Sequence, residues 1–317
     1  MSDTPDLPAL PLEAWEPTKV TLHLYAQIVG KVRLATAAPR NHWWHVPLYV
    51  DVTGLTTRRL HHRGVTFQVD FDLLDHALRV RCADGRGESF PLHDGLSVAA
   101  FDRELHAALG RLGIDVALVE HPFGVPMTTP FPADEEHSAY DPEYVRRFWR
   151  ILDWVDGVFE EFAGWFCGKT SPVHLFWHSL DLAVTRFSGR EGGVSPGADR
   201  VTREAYSHEV ISFGFWPGDP TMREPAFYSY TAPEPAGLAS HPLFPAEARW
   251  TEQPTGALAV LPYEAVRSAA DPRRALLAFL QSAYDAGGIA AGWDRAGLAS
   301  TYSPAPPQLA ALLTAAR

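Results

Sequence analysis

The chain has 317 residues, of which 46% are hydrophobic and 21% are charged, as is typical of a folded protein with a large core. Its formal net charge of -11 argues against a nucleic-acid binder, because contact with the phosphate backbone needs a basic face. No apolar run approaches the roughly 18 residues of a membrane span, and the acidic, proline-rich start does not resemble a signal peptide.

Cysteine usage points to a reducing compartment. Cys82 and Cys167 are the only two cysteines, and neither lies in a CxxC pair. A disulfide framework or a zinc cluster is therefore not expected. We predict a cytoplasmic protein with no membrane partner.

The first half of the chain reads as a helix, four strands and a second helix. Proline residues bound the first helix, Asp84-Gly85 marks a hairpin turn, and Ser97 is a helix cap. The predicted helices cover residues 18–37 and 98–112. The predicted strands cover residues 46–53, 65–71, 77–82 and 89–92.

The second half repeats this order after a proline-rich, acidic loop at residues 121–141. Asp141-Pro142 and Asp271-Pro272 are helix starts, and Gly287-Gly288 is expected to end the last helix. The predicted helices cover residues 142–166 and 272–286. The predicted strands cover residues 172–187, 208–216, 226–231 and 256–261.

These elements predict an α+β fold with antiparallel sheets, in which two similar helix–four-strand–helix units pack as a pseudo-duplicated single globule. Chance similarity between the halves is the alternative. The expected boundaries are a tail at 1–17, a first unit at 18–120, a linker at 121–141, a second unit at 142–290 and a helical tail at 291–317.

An internal echo supports the duplication and suggests a site. The sequence His42-Trp43-Trp44-His45 follows Gly30-Lys31, and His174-Leu175-Phe176-Trp177-His178 follows Gly168-Lys169. On a regular strand, His42 and His45 would face opposite sides, and His174 and His178 would lie about 13 Å apart. Neither motif alone could therefore chelate one metal ion, so any shared site needs residues from both halves.

Candidate site residues follow from this pattern. Histidine supplies acid–base groups or metal ligands, and cations or aromatic rings hold an anionic or aromatic molecule. The predicted acid–base residues are His42, His45, His174 and His208. The predicted ligand-binding residues are Lys31, Arg33, Trp44 and Arg186. The candidates for a metal are His174, His208 and Glu209.

Two features have competing interpretations. The stripe of His23, Gln27 and Lys31 on the first helix is either a solvated face or the wall of a pocket. Arg186 lies in an apolar strand and needs an anion, which is either a bound ligand or a carboxylate such as Asp181 or Glu209.

The chain resembles a bacterial family known only as a domain of unknown function, number 5996 in that series. The resemblance covers about residues 15–292 and implies no activity. It rests on strings that include residues 21–24, 27–33, 41–50, 171–174, 181–190 and 205–209.

The residues favour a protein with a pocket lined by His, Trp and Arg that binds a small, anionic molecule, and they leave open whether it is an enzyme. A divalent metal is the one cofactor that the histidines would suit. The alternative is a non-enzymatic sensor or protein-interaction module, whose His/Trp clusters are structural core and whose interface is the aromatic turn at Phe215 and Trp216. The oligomeric state is not predicted.

Overall fold

A computed structural model describes residues 7–194, 197–254 and 256–301. The described helices are α1 (Leu12–Thr36), α2 (Val98–Arg111), α3 (Pro142–Gly164), α4 (Arg200–Ala205), α5 (Tyr263–Arg267) and α6 (Pro272–Ala290). None of them is long and apolar enough to cross a membrane.

The strands form two six-stranded antiparallel sheets. The first has the order β1-β2-β4-β5-β6, with β3 paired to β4, and the second has the order β11-β12-β10-β9-β8-β7. The first set comprises β1 (Tyr49–Asp51), β2 (Gly54–Thr56), β3 (Leu60–His62), β4 (Val65–Asp72), β5 (Ala77–Cys82) and β6 (Gly87–Pro91). The second set comprises β7 (His174–Phe176), β8 (Asp181–Glu191), β9 (His208–Trp216), β10 (Ala226–Ala232), β11 (Arg249–Gln253) and β12 (Gly256–Pro262).

The α+β class with antiparallel sheets is therefore confirmed, while the count of four strands in each half is wrong. The strands that were not anticipated include β3 and β11. Both are short and polar, so they lack a hydrophobic repeat that could distinguish them from loops. The duplication itself stays a prediction.

Local sequence rules place several boundaries correctly. The Ser97 side chain accepts a hydrogen bond from the Ala100 N–H and caps α2. Asp141 accepts hydrogen bonds from the N–H groups of Glu143 and Tyr144 at the start of α3. Gly85, with φ of 89°, makes the turn between β5 and β6.

Two predicted helix ends are wrong for reasons of packing. Helix α1 begins at Leu12 rather than residue 18 and contains Pro17; its first turn is held by Trp15, whose buried ring lies 5.2 Å from that of Phe148. Helix α6 continues to Ala290 through Gly287. A side chain at Gly287 would collide with Thr231, so this glycine allows close packing rather than ending the helix.

The chain divides into two compact units. The N-terminal unit comprises residues 10–153 and 174–182, and the C-terminal unit comprises 7–9, 154–173 and 183–301 among the described residues. The second echo motif therefore belongs to the N-terminal unit. Residues 291–301 form turns and an isolated bridge rather than a helix, and the remainder of the predicted C-terminal tail lies outside the described residues, as do residues 1–6 of the predicted N-terminal tail.

Candidate functional site

The two echo motifs meet inside the N-terminal unit. Leu48 and Leu175 exchange backbone hydrogen bonds of 2.9 and 2.8 Å, which joins the start of β1 to β7. The Trp177 indole N–H also donates to the carbonyl oxygen of Val46 over 2.9 Å. Residues that are more than 120 positions apart in sequence thus come together, as a shared site requires.

Neither histidine motif is a regular strand throughout, which corrects the strand geometry assumed for both. Residues Asn41–Trp43 form a 3-10 turn in which His42 and Trp43 have φ values of 55° and 60°. In the second motif β7 ends at Phe176, and a turn follows before β8 begins. The left-handed conformations of His42 and Trp43 are unfavourable for residues other than glycine. Such backbone strain is often found at functional sites.

The polar stripe on α1 is buried, so its interpretation as a solvated face is wrong. Gln27 accepts a hydrogen bond from the Phe123 N–H and donates one to the Phe123 carbonyl, at 2.8 and 3.0 Å. Burial, with a smaller contribution from Lys19, lowers the pKa of His23 to about 4. The stripe therefore fastens the 121–124 loop to the helix.

Lys31 lies in an aromatic environment on the same helix. Its ammonium group is 5.6 Å from the Trp177 ring and 5.8 Å from the Phe131 ring, and burial lowers its pKa. Gly30 lets Trp177 approach, because a Cβ atom there would lie 2.2 Å from the indole. The contacts of Lys31 thus tie α1 to the second echo motif.

A separate group of cations surrounds Tyr49. The guanidinium carbons of Arg58 and Arg33 lie 3.5 and 5.2 Å from the centre of the Tyr49 ring, and the His174 ring lies 6.4 Å away, edge to face. We call these four residues the Tyr49 cluster. Arg33, Tyr49 and His174 are buried, whereas Arg58 is exposed, so the cluster has one side that reaches solvent.

The Tyr49 cluster is strongly cationic. Burial lowers the pKa of Arg33, and Arg58 and Arg40 lower it further, although Tyr49 opposes the shift. Burial lowers the pKa of His174 to about 3, with Arg33 and Arg58 adding to the effect. His174 is therefore neutral at physiological pH and can act there as a hydrogen-bonding group rather than as a proton donor from an imidazolium.

No carboxylate among the described residues balances this charge. Within the described residues, Arg33 hydrogen bonds to the carbonyl oxygen of Thr57, and neither Arg33 nor Arg58 pairs with an acidic side chain. Two buried nitrogen atoms in the cluster, Arg33 Nε and His174 Nδ1, have no partner in the same part of the chain. Buried polar atoms are nearly always paired, so both mark a place where a ligand could bind.

The backbone fixes Arg58 in place. Arg58 has a φ of 55°, its N–H donates to the Thr56 hydroxyl, and its carbonyl accepts from the Thr57 hydroxyl, both at 2.9 Å. A left-handed arginine is uncommon and persists only where its surroundings determine it. These bonds fix the backbone from which the Arg58 side chain reaches over the Tyr49 ring.

The other predicted residues of the first motif form their own ring contacts. The His42 ring lies 5.2 Å from that of Trp44, and the His45 ring stacks on Trp43 at 5.3 Å. His45 Nδ1 accepts a hydrogen bond from the Arg40 N–H over 3.2 Å. Their proposed acid–base roles stay predictions.

Arg186 has its described contacts in the C-terminal unit. It lies on β8, against the rings of Phe162, Phe166 and Tyr284, and donates to the Phe162 carbonyl. Neither Asp181 nor Glu209 binds it, so the carboxylate partners suggested by the sequence are wrong. Glu209 instead pairs with Arg190 at 2.7 Å.

No metal centre emerges from the described residues, where no three His, Cys, Asp or Glu side chains are placed to hold an ion. His208 is at the start of β9 beside the Ser207 hydroxyl, at 3.2 Å. At the aromatic turn the Phe215 side chain is fully buried, so it is not available to the suggested interface, whereas Trp216 is partly exposed and its role there stays a prediction. Cys82 and Cys167 are free thiols.

Sequence reasoning found Arg33 and His174 but missed Tyr49 and Arg58. Tyr49 lies in one of the strings that carry the family resemblance, which was the available signal. The sequence carried no such signal for Arg58, because neither its left-handed backbone nor its stacking on Tyr49 follows from the local sequence.

The geometry defines an α+β protein with a cationic cluster at the junction of two histidine-containing segments. The chain belongs to a family of unknown function, DUF5996, whose model matches residues 7–300. This confirms the resemblance of the sequence strings to that family. No curated protein and no solved structure matches the chain.

Proposed function

We propose that the protein binds a small anionic molecule at the Tyr49 cluster. The observation that carries the proposal is the buried Arg33, a residue that is 7% exposed and whose guanidinium has no carboxylate partner among the described residues. An uncompensated buried charge is unfavourable by several kcal/mol, so a bound anion would stabilise the site.

Each member of the cluster has a role in this binding. Arg33 supplies its buried Nε–H, and Arg58 supplies a guanidinium that is accessible from solvent. Both arginines offer the planar donors that suit carboxylate and phosphate groups. His174 is neutral and can donate from Nδ1, and Tyr49 holds the two guanidinium groups in place.

We propose the ligand class, the cellular location and the partners together with this site. The ligand class is a small molecule with a carboxylate or phosphate group, and we place the protein in the cytoplasm without a nucleic-acid partner. A catalytic role for His42, His45, His174 or His208 stays a prediction for activity measurements. A metal held by His174, His208 and Glu209 is not part of the proposal, because no three such side chains are placed to hold an ion among the described residues. The lowered pKa of His174 supports binding over acid–base chemistry at that residue.

Arg58→Gln is expected to weaken the binding of inorganic phosphate about tenfold, since a hydrogen bond to a charged group contributes about 1.5 to 3 kcal/mol. Binding is measured by NMR titration of the Arg33 Nε–H signal, which is assigned by its loss in Arg33→Lys. Acetate is titrated in parallel to distinguish a carboxylate site from a phosphate site.

Arg59→Gln is the matched control. Arg59 is the next residue, is also exposed and carries the same charge, but it lines a cleft with Arg81 and Cys82 instead of stacking on Tyr49. It should retain the wild-type affinity. Equal losses in both variants would show a general charge effect, and an Arg33 signal unaffected by either anion would refute the site.

A further inference from the structure

A second buried arginine lies in the C-terminal unit, in surroundings that resemble those of Arg33. Arg186 is 1% exposed, and its guanidinium carbon lies 3.6 Å from the Phe162 ring and 4.5 Å from the Tyr284 ring. Like Arg33, it donates to one backbone carbonyl and retains a buried Nε–H without a partner in the described residues.

Several other buried hydrogen-bond donors without a partner lie near Arg186. The Tyr284 ring is 6.2 Å from the Trp293 ring, and the Tyr284 hydroxyl and the Trp293 indole N–H are both buried. Neither atom has a hydrogen-bond partner in the part of the chain that the structure describes, and the same holds for Arg295 Nε. Four such donors in one cluster need an explanation, because unpaired buried donors are rare.

The charges of the cluster do not cancel. Two guanidinium groups, those of Arg186 and Arg295, are accompanied by the carboxylate of Asp285. Asp285 is already bound by Arg295 and by the Gln281 amide. Burial lowers the pKa of Arg186 to about 9, at which the group remains charged at neutral pH. One positive charge is therefore left over.

We propose that Arg186, Tyr284 and Trp293 form a second binding site, which takes the oxyanion of a carboxylate or a phosphate. The three free donors are a guanidinium N–H, a hydroxyl and an indole N–H, all of which suit an oxygen anion. The side chains of Arg295 and Asp285 are 28% and 25% exposed, so the cluster is open to solvent beside them. This site is independent of the Tyr49 cluster.

The Trp293 indole N–H provides a direct readout by NMR, because a bound oxyanion should shift its signal in a saturable way. The signal is identified by its loss in Trp293→Phe. Inorganic phosphate and acetate are titrated separately into the full chain, and the stronger of the two assigns the ligand class. A Trp293 signal that responds to neither anion overturns the proposal.

Tyr284→Phe tests the contacts without disturbing the packing, since it removes only the hydroxyl. We expect the anion that moves the Trp293 signal to bind about fivefold more weakly, which corresponds to one lost hydrogen bond. The unliganded variant should be at least as stable as the wild type, because the hydroxyl has no partner to lose. Unchanged affinity in Tyr284→Phe would contradict the site.

The two proposed anion sites can be tested independently of each other. Arg58→Gln should leave the Trp293 titration unchanged, and Tyr284→Phe should leave the Arg33 titration unchanged. A response at Trp293 without one at Arg33 would support the second site alone, and the reverse would support the Tyr49 cluster alone.

Discussion

Gly30→Ala is expected to lower the free energy of unfolding by about 1 to 3 kcal/mol, although alanine favours a helix by about 1 kcal/mol over glycine. The added methyl group would lie 2.2 Å from Trp177 Cδ1, well inside van der Waals contact. Trp177 is itself held by its hydrogen bond to Val46. The indole cannot move without breaking that bond. Alanine is therefore expected to destabilise the protein here, although replacing glycine with alanine within a helix usually stabilises it.

Gly157→Ala is the control for helix propensity. Gly157 lies in the interior of α3, it is exposed, and an added Cβ there would meet no atom within 4 Å. This variant should be unchanged or stabilised by up to about 1 kcal/mol. Urea unfolding of the two variants gives the comparison, and a Gly30→Ala protein as stable as the wild type would refute the contact with Trp177.

Acidification from about pH 7.5 to about pH 5 is expected to lower the free energy of unfolding by about 2 kcal/mol for each of His23 and His174. Their folded pKa values, about 4 and about 3, lie below the ordinary histidine pKa of about 6.5. The unfolded chain therefore takes up protons first. The stabilisation that the two neutral histidines contribute is fully present above the histidine pKa of the unfolded chain. It declines as the pH falls toward their pKa values in the folded protein.

Single substitutions separate the two contributions. His174→Gln removes one titrating group, so the variant should lose about 2 kcal/mol less than the wild type over the same pH range. His23→Gln should have a similar effect. Protonation of His106 should instead stabilise the folded protein at low pH, because its contact with Asp102 raises its pKa. A His174→Gln variant that loses as much stability as the wild type between these pH values would show that His174 is not buried in its neutral form.

Local chemistry in the sequence predicted much of the secondary structure. The caps at Ser97 and Asp141 and the turn at Gly85 depend on neighbouring residues alone, and β9 follows from a segment rich in β-branched and aromatic residues. Those elements match the sequence prediction closely. Strand β11 was missed because its five residues carry no repeating apolar pattern.

The site depends on contacts that no local pattern encodes. Gln27 is buried because it binds Phe123, which is 96 residues away. Helical spacing alone could not distinguish that buried stripe from a solvated one. Likewise, the strand rule failed at His42 and Trp43, where the chain adopts left-handed conformations that sequence rules reserve mainly for glycine.

The membership of residues 174–182 in the N-terminal unit has a consequence for biosynthesis. Arg33 and Tyr49 precede His174 by 141 and 125 residues, so the Tyr49 cluster can form only after more than a further third of the chain has been synthesised. Until then α1 lacks the indole that Gly30 accommodates, and a nascent chain that ends within the 121–141 loop contains an arginine-rich but incomplete site. The Tyr49 cluster is therefore assembled late in translation, when the returning segment closes a loop of well over a hundred residues.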